Sequence, residues 1–152
     1  MSDDLYLPEN ALIDRVKARV KGSYGLREVY SEGSLAGVTN GRVADPAVAV
    51  VAQPLRIIDS SVECGLLTVE TRWSLVAIAR AYNDQGRSDR ARDLVGRLAV
   101  DLIRHVTGWV PAQGFSPMVL RGVDRRVFAG NKVYAPLTFG STTTINLADE
   151  EN

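Results

Sequence analysis

Residues 65–81 alternate with a period of two for longer than an ordinary strand, and that regularity limits the folds open to this chain. Leu67, Val69, Thr71, Trp73, Leu75 and Ala77 fall on one face, and Thr68, Glu70, Arg72 and Ser74 fall on the other. One apolar and one polar face is the pattern of a strand in an antiparallel sheet that is covered on one side, with the other side solvated or facing a partner. Val76 and Ile78 make the far end apolar on both faces, which predicts deeper burial there. A cover for the apolar face follows in the chain. Ala91, Leu94, Val95, Leu98, Leu102, Ile103 and Val106 form a helical stripe, while Arg87, Arg90, Arg92, Asp93, Arg97 and Asp101 point mostly in other directions. Roughly twenty residues at 1.5 Å rise give a helix of about 30 Å. The spacing predicts a turn at Asn83–Gly86 and Ser88 as the N-cap. Gly108 ends the helix, Trp109 packs back beneath it, and Pro111 prevents its continuation.

Flanking segments complete an α+β reading. Pro8 suits the first turn of a helix, and Leu12, Ile13, Val16 and Val20 recur at helical spacing, with Gly22 closing a helix over 8–21. Residues 1–6 are polar and expected to fray. A short strand is expected at Leu26–Tyr30 and a longer one at Ala47–Ile58, with Pro54 marking an edge or a bulge and Asp59–Cys64 a polar break. The stretch from Met118 starts another strand, Ala129-Gly130-Asn131 makes a hairpin turn, and Val133, Ala135, Leu137 and Phe139 alternate beyond it. Pro136 again signals an edge or bulge. The tail Leu147–Asn152 is acidic and expected to be mobile. The segment Ser31–Pro46, with Gly33, Gly37 and Gly41, is long for a structureless connection and reads either as a surface loop or as an arm that orders against a partner. The expected fold is a mainly antiparallel sheet packed by a long amphipathic helix and an N-terminal helix. It forms one domain over 1–152, with an ordered core at about 8–146.

The balance of charge narrows the function classes. Eighteen basic residues match eighteen acidic ones, so no net field draws the chain to nucleic acid or anionic lipid. No run of eighteen apolar residues exists to span a membrane, and the start Met1-Ser2-Asp3-Asp4 is acidic, without a signal-peptide core behind it. Cys64 is the only cysteine, which rules out a disulfide within the chain and favours an intracellular origin.

No reacting constellation is evident. His105, the only histidine, lies late in the long helix, where a positive imidazole favours the helix dipole, and a zinc site needs more such ligands than one His and one Cys. Cys64 reads as a small apolar filler. The chain contains no nucleophile elbow, no phosphate-binding loop and no dinucleotide fingerprint, and Gly33, Gly37 and Gly41 have the wrong spacing for either glycine signature. Glu70 reads as a solvated or salt-bridged surface acid. The densest charge group is Arg121, Asp124, Arg125 and Arg126, which reads as an ion-paired, solvated strand, or as a surface facing a neighbouring subunit or a charged channel. No aromatic platform supports specific nucleic-acid recognition.

The order of these elements resembles the tail terminator (tail completion) proteins of tailed bacteriophages, most closely the contractile-tailed, Mu-like type. The points of likeness are the Trp73 strand, the helix ending in Gly108-Trp109-Val110-Pro111, the strand at Pro117–Leu120, the final strand Val133–Phe139 closing in threonines, and Asp45–Val50 as a first core strand. The likeness spans roughly residues 8–146, and its motifs are patterns of fold.

The resemblance implies a non-enzymatic virion protein without a cofactor, assembled in the host cytoplasm. It implies a homo-oligomeric ring, commonly a hexamer, that caps the tail tube, stops its growth and offers a docking surface to the head. Partners would be copies of itself, the tail tube protein, and the sheath and neck or head-completion proteins. Glu70, Arg72, Arg121, Asp124, Arg125, Arg126, Gly33, Gly37 and Gly41 are then the candidate contact residues. Two other readings stand beside it: another neck or head-completion protein, and a small carboxylate- and metal-dependent enzyme built on Glu63, Glu70 or Asp124.

Overall fold

The computed structural model describes residues 4–20, 26–32, 46–80 and 85–147. In chain order these form α1 (Pro8–Arg19), β1 (Glu28–Ser31), β2 (Ala47–Ser61), a 3-10 turn (Val62–Cys64), β3 (Leu66–Arg80), α2 (Gln85–Val106), β4 (Val119–Val123), β5 (Val127–Ala129) and β6 (Lys132–Asn146). The sheet runs β1-β2-β3-β6-β4, with β5 also paired to β6. Every pairing is antiparallel except β1 with β2. This is the α+β architecture that the two periodicities predict.

The period-two face of β3 lands where expected. Trp73, Leu75, Ala77 and Ala79 point into the core, opposite Phe139, Leu137, Ala135 and Val133 of β6. Over this platform α2 lays Ala91, Val95, Leu98, Leu102 and Val106, all buried. At about 1.5–3 kcal/mol for a buried aliphatic side chain, that stripe is a major part of the core energy. Leu12, Val16 and Val20 of the α1 region close one side of the same cluster. On the opposite face a small satellite gathers Ala47, Ala49 and Ile78 with Tyr30, Val76 and Tyr134, which accounts for the two-sided apolar end of β3. Among the described residues no helix is long and apolar enough to cross a membrane.

Both strand prolines sit where a missing N–H is tolerated. Pro54 falls at a register shift between Gln53 and Arg56. Pro136 is in a central strand, but its carbonyl accepts from Asp124 N–H, so its nitrogen faces the break between β4 and β5 rather than β3. Gly130, at φ 60°, makes the predicted hairpin turn from β5 to β6.

Several boundaries differ from the sequence reading. β2 continues through Asp59–Ser61, which pair with Thr68–Leu66, because polarity does not end a strand whose surroundings are solvent. α2 begins at Gln85, so Ser88 lies inside the helix and is not its cap. Turn clusters and helix starts draw on the same polar residues, which blurs that boundary. Cys64 is exposed in the 3-10 turn rather than filling a core gap. Residues 4–7 form a turn, and Tyr6 packs edge-on against Trp73 with ring centroids 6.3 Å apart. Gly22, Gly33, Gly37, Gly41 and the acidic residues after Leu147 lie outside the described residues, as does the loop carrying the three glycines.

A residue from another helix helps hold the C-terminal end of α2. Arg15 of α1 donates from Nε to the His105 carbonyl at 2.9 Å, and its guanidinium stands 5.4 Å over the Trp109 ring. Gly108, at φ 82°, donates to Met118 O, and Met118 N–H donates back to Trp109 O, which leads the chain into β4.

Leu98→Ala is expected to destabilise the fold by about 2–5 kcal/mol, whereas Val100→Ala, at a position 45 % exposed on the same helix, changes it by less than about 0.5 kcal/mol. Urea unfolding of the two variants checks this.

Candidate functional site

The outer face of the sheet, away from the helices, carries a charge cluster that crosses three strands. Glu70 on β3 extends over β6 at Gly140, and Arg121 reaches it from β4. Arg72 Nε donates to Glu70 Oε1 at 2.6 Å, and Arg121 donates from Nη2 and Nε to Glu70 Oε2 at 2.6 and 3.0 Å. The acid is 1 % exposed and the arginines 30 % and 43 %, so the carboxylate is sealed while the guanidinium groups look outward.

Gly140 makes this crossing feasible. A Cβ there would stand 2.8 Å from Glu70 Cδ. Arg121 itself sits at a register shift between Leu120 and Gly122, where a bulge re-aims its side chain toward the acid. Below the cluster, Thr68 and Thr144 share a hydroxyl hydrogen bond of 3.2 Å across β3 and β6. On the inner face Thr71 donates to Ser141 O, and Thr143 donates to Gly114 O, which ties the segment before β4 to β6.

Burial pushes the Glu70 carboxyl upward, but hydrogen bonds from Arg72 and Arg121 and their positive charge outweigh it, leaving the group below its usual 4.5. An acid locked as an anion between two cations has no proton to give and no lone pair directed at a substrate, so it suits a structural joint better than acid–base work.

The sequence-based candidates therefore divide. Glu70, Arg72 and Arg121 come together, with Glu70 buried rather than lying as a surface acid. Asp124, Arg125 and Arg126 occupy the break between β4 and β5 instead of a solvated strand, and they line a groove against α2. The run 121–126 is thus two features on different sides of the sheet edge. Gly33, Gly37 and Gly41 fall outside the described residues. Glu63 is exposed in the turn after β2 and does not join Glu70 or Asp124; among the described residues no three His, Cys, Asp or Glu side chains gather to hold a metal ion. Sequence reasoning missed Gly140 as the seat of Glu70 and Arg15 as the helix-end partner, because neither contact leaves a local signal.

Among the described residues the outer sheet face carries a buried carboxylate held by two arginines, a structural joint on a polar surface. The sequence profile described as phage tail terminator protein matches residues 1–149. The chain belongs to the phage tail terminator protein family and is a structural protein of a phage-type tail and its virion. A similar solved structure comes from the virion of a native gene transfer agent particle: TM-score 0.59 at 15 % identity, covering 90 % of this chain and 94 % of that one. At that identity the likeness speaks for the fold. No curated protein matched.

Two outcomes follow from the cluster. Because the Glu70 carboxyl is lowered in the folded state, its stabilisation is fully present above its unfolded value near 4.5 and is lost as pH falls through the folded value. Glu70→Gln is expected to cost on the order of 1–2 kcal/mol at neutral pH, the exposed arginine heads being screened by water. That gap should close as pH falls below 4.5 and through the lowered folded value, read from thermal midpoints of both proteins across the range. Gly140→Ala should destabilise by about 1–3 kcal/mol by displacing the carboxylate, and by clearly less in a Glu70→Ala background, as a double-mutant cycle would show.

Proposed function

We propose that this protein closes into a ring that caps the tail tube, ends its polymerisation and presents a docking surface to the neck or head. The family match across residues 1–149 carries this reading. The resemblance to the contractile-tail type adds a hexameric ring, with tube, sheath and neck proteins as neighbours. Function of this kind is geometric. Each subunit meets the next through unlike surfaces, the rotation between them closes, and nothing further can add around the circle.

The structure supports that role with a rigid sheet whose outer face bears outward-facing Arg72 and Arg121, held in place by Glu70. The exposed Leu55, Ile57 and Ile58 at the end of β2, and Val119 and Val123 on β4, give apolar contact area at both sides of the sheet. Surfaces of mixed apolar and arginine character are typical of protein–protein contacts.

Negative-stain images and light scattering of the purified protein are expected to show closed rings of a single size. Added to polymerising tube protein of the same phage, it should shorten the tubes at amounts near one ring per tube end. Tubes that grow to the same length with and without it would overturn the reading.

A further inference from the structure

Two adjoining cavities run along the outward side of α2. One, of about 550 Å³, is lined by Arg92, Arg97, Arg104 and Arg126 together with Asp93. The other, of about 690 Å³, shares Gly96, Val100 and Arg126 with the first and has a floor that includes Ile103, Phe128 and Leu137. A Cβ at Gly96 would meet nothing within 4 Å, so the helix surface between the two spaces is open there. Val100, Val123 and Phe128 are 45 %, 62 % and 56 % exposed. With Arg125 and Asp124 on the rim, five arginines surround an apolar floor. Arg97 pairs with Asp93 at 3.1 Å and Arg104 with Asp101 at 3.9 Å, both arginines staying well exposed, so positive charge exceeds negative around the groove.

Such a groove fits an extended segment that is apolar first and acidic after. The chain contains one directly after β6: Leu147-Ala148-Asp149-Glu150-Glu151. Leu147 is 47 % exposed and is tied by its N–H to Gly65 O, beside the β2–β3 turn. It leaves the sheet at the wrong end to reach its own groove. Leu137, on the groove floor, and Asn146 are nine residues apart in β6, about 30 Å at strand rise. Glu151, five residues beyond Asn146, extends at most about 18 Å.

We propose that the arginine-rimmed groove of α2 binds residues 147–151 of a second copy of this chain. Leu147 and Ala148 cover the exposed floor at Val100 and Phe128, and the three acids meet the arginine rim. A nucleic-acid backbone would match the arginines but leave that floor uncovered. The contact is head-to-tail, joining one end of a subunit's sheet to the helix side of the next, which is the form a closed ring requires. It deepens the ring reading and rests on it, though a ring held by other surfaces survives its failure.

The test places a photoreactive benzophenone amino acid at Ala148 of the full chain and mixes isotopically labelled with unlabelled protein. Cross-links between copies, mapping to α2 and the Arg125–Phe128 segment, are expected. Arg97→Glu with Arg126→Glu should lower their yield about tenfold, and adding Asp149→Lys, Glu150→Lys and Glu151→Lys should restore it; far-ultraviolet circular dichroism confirms that each variant is folded. An assembled protein whose cross-links fall elsewhere, or only within one copy, overturns this contact and leaves the ring intact. A protein that stays a single copy overturns this contact, and the tube-length assay then decides the ring. Cross-links abolished by added duplex DNA at low salt would assign the groove to nucleic acid instead.

Discussion

The pairing of β3 with β6 runs unbroken from Leu66 opposite Asn146 to Arg80 opposite Lys132, and both faces of the protein follow from that single register. Side chains alternate with a period of two, so slipping either strand by one residue would exchange every inward group for an outward one. In the observed register Trp73 stands opposite Phe139 and Leu75 opposite Leu137, which makes the apolar platform that α2 needs. On the reverse side the same register puts Arg72 opposite Gly140 and Glu70 opposite Thr142. The core and the charge cluster are two consequences of one alignment.

A sealed carboxylate on a sheet face is costly unless its partners are in place. Desolvation takes several kcal/mol from an unpaired ion, and here three N–H groups from two arginines offset it. Each depends on a backbone detail: Arg121 on the bulge in β4, and the carboxylate's path on the missing side chain at Gly140. A slipped register would turn Glu70 to the inner face, where Val69 and Thr71 now lie buried. The cluster is therefore compatible with the native register and costly in a slipped one.

Much of the fold could be read from the sequence because its signals are local. Periodicity identified β3, α2, α1 and β6, and the glycine at 130 with the proline at 54 identified a turn and a bulge. Boundaries failed where one residue type serves two purposes, as at Ser88 and at Asp59–Ser61. The parallel pairing of β1 with β2 also left no local mark, although parallel strands require a crossover of a dozen or more residues, a length that the stretch between Ser31 and Ala47 provides. The site was half legible. Its charges were visible in the sequence, but the separation of Arg121 from Arg125 and Arg126, and the meeting of Glu70 with Arg121, depend on strand neighbours fifty residues away.

A structural protein of a virion needs surfaces that adhere and edges that do not. Among the described residues β1 covers β2 only at Ala47–Val50, so one edge of β2 from Val51 to Ser61 is open. Open edges invite strand addition from other chains. This edge is interrupted by Pro54, two register shifts and the charges of Arg56 and Asp59, and β4 at the other side of the sheet is five residues long with a bulge at Arg121. Both devices make indefinite sheet extension unfavourable while leaving Leu55, Ile57, Ile58, Val119 and Val123 exposed for side-chain contact. Backbone pairing, which propagates, is thereby disfavoured relative to side-chain contacts, which do not.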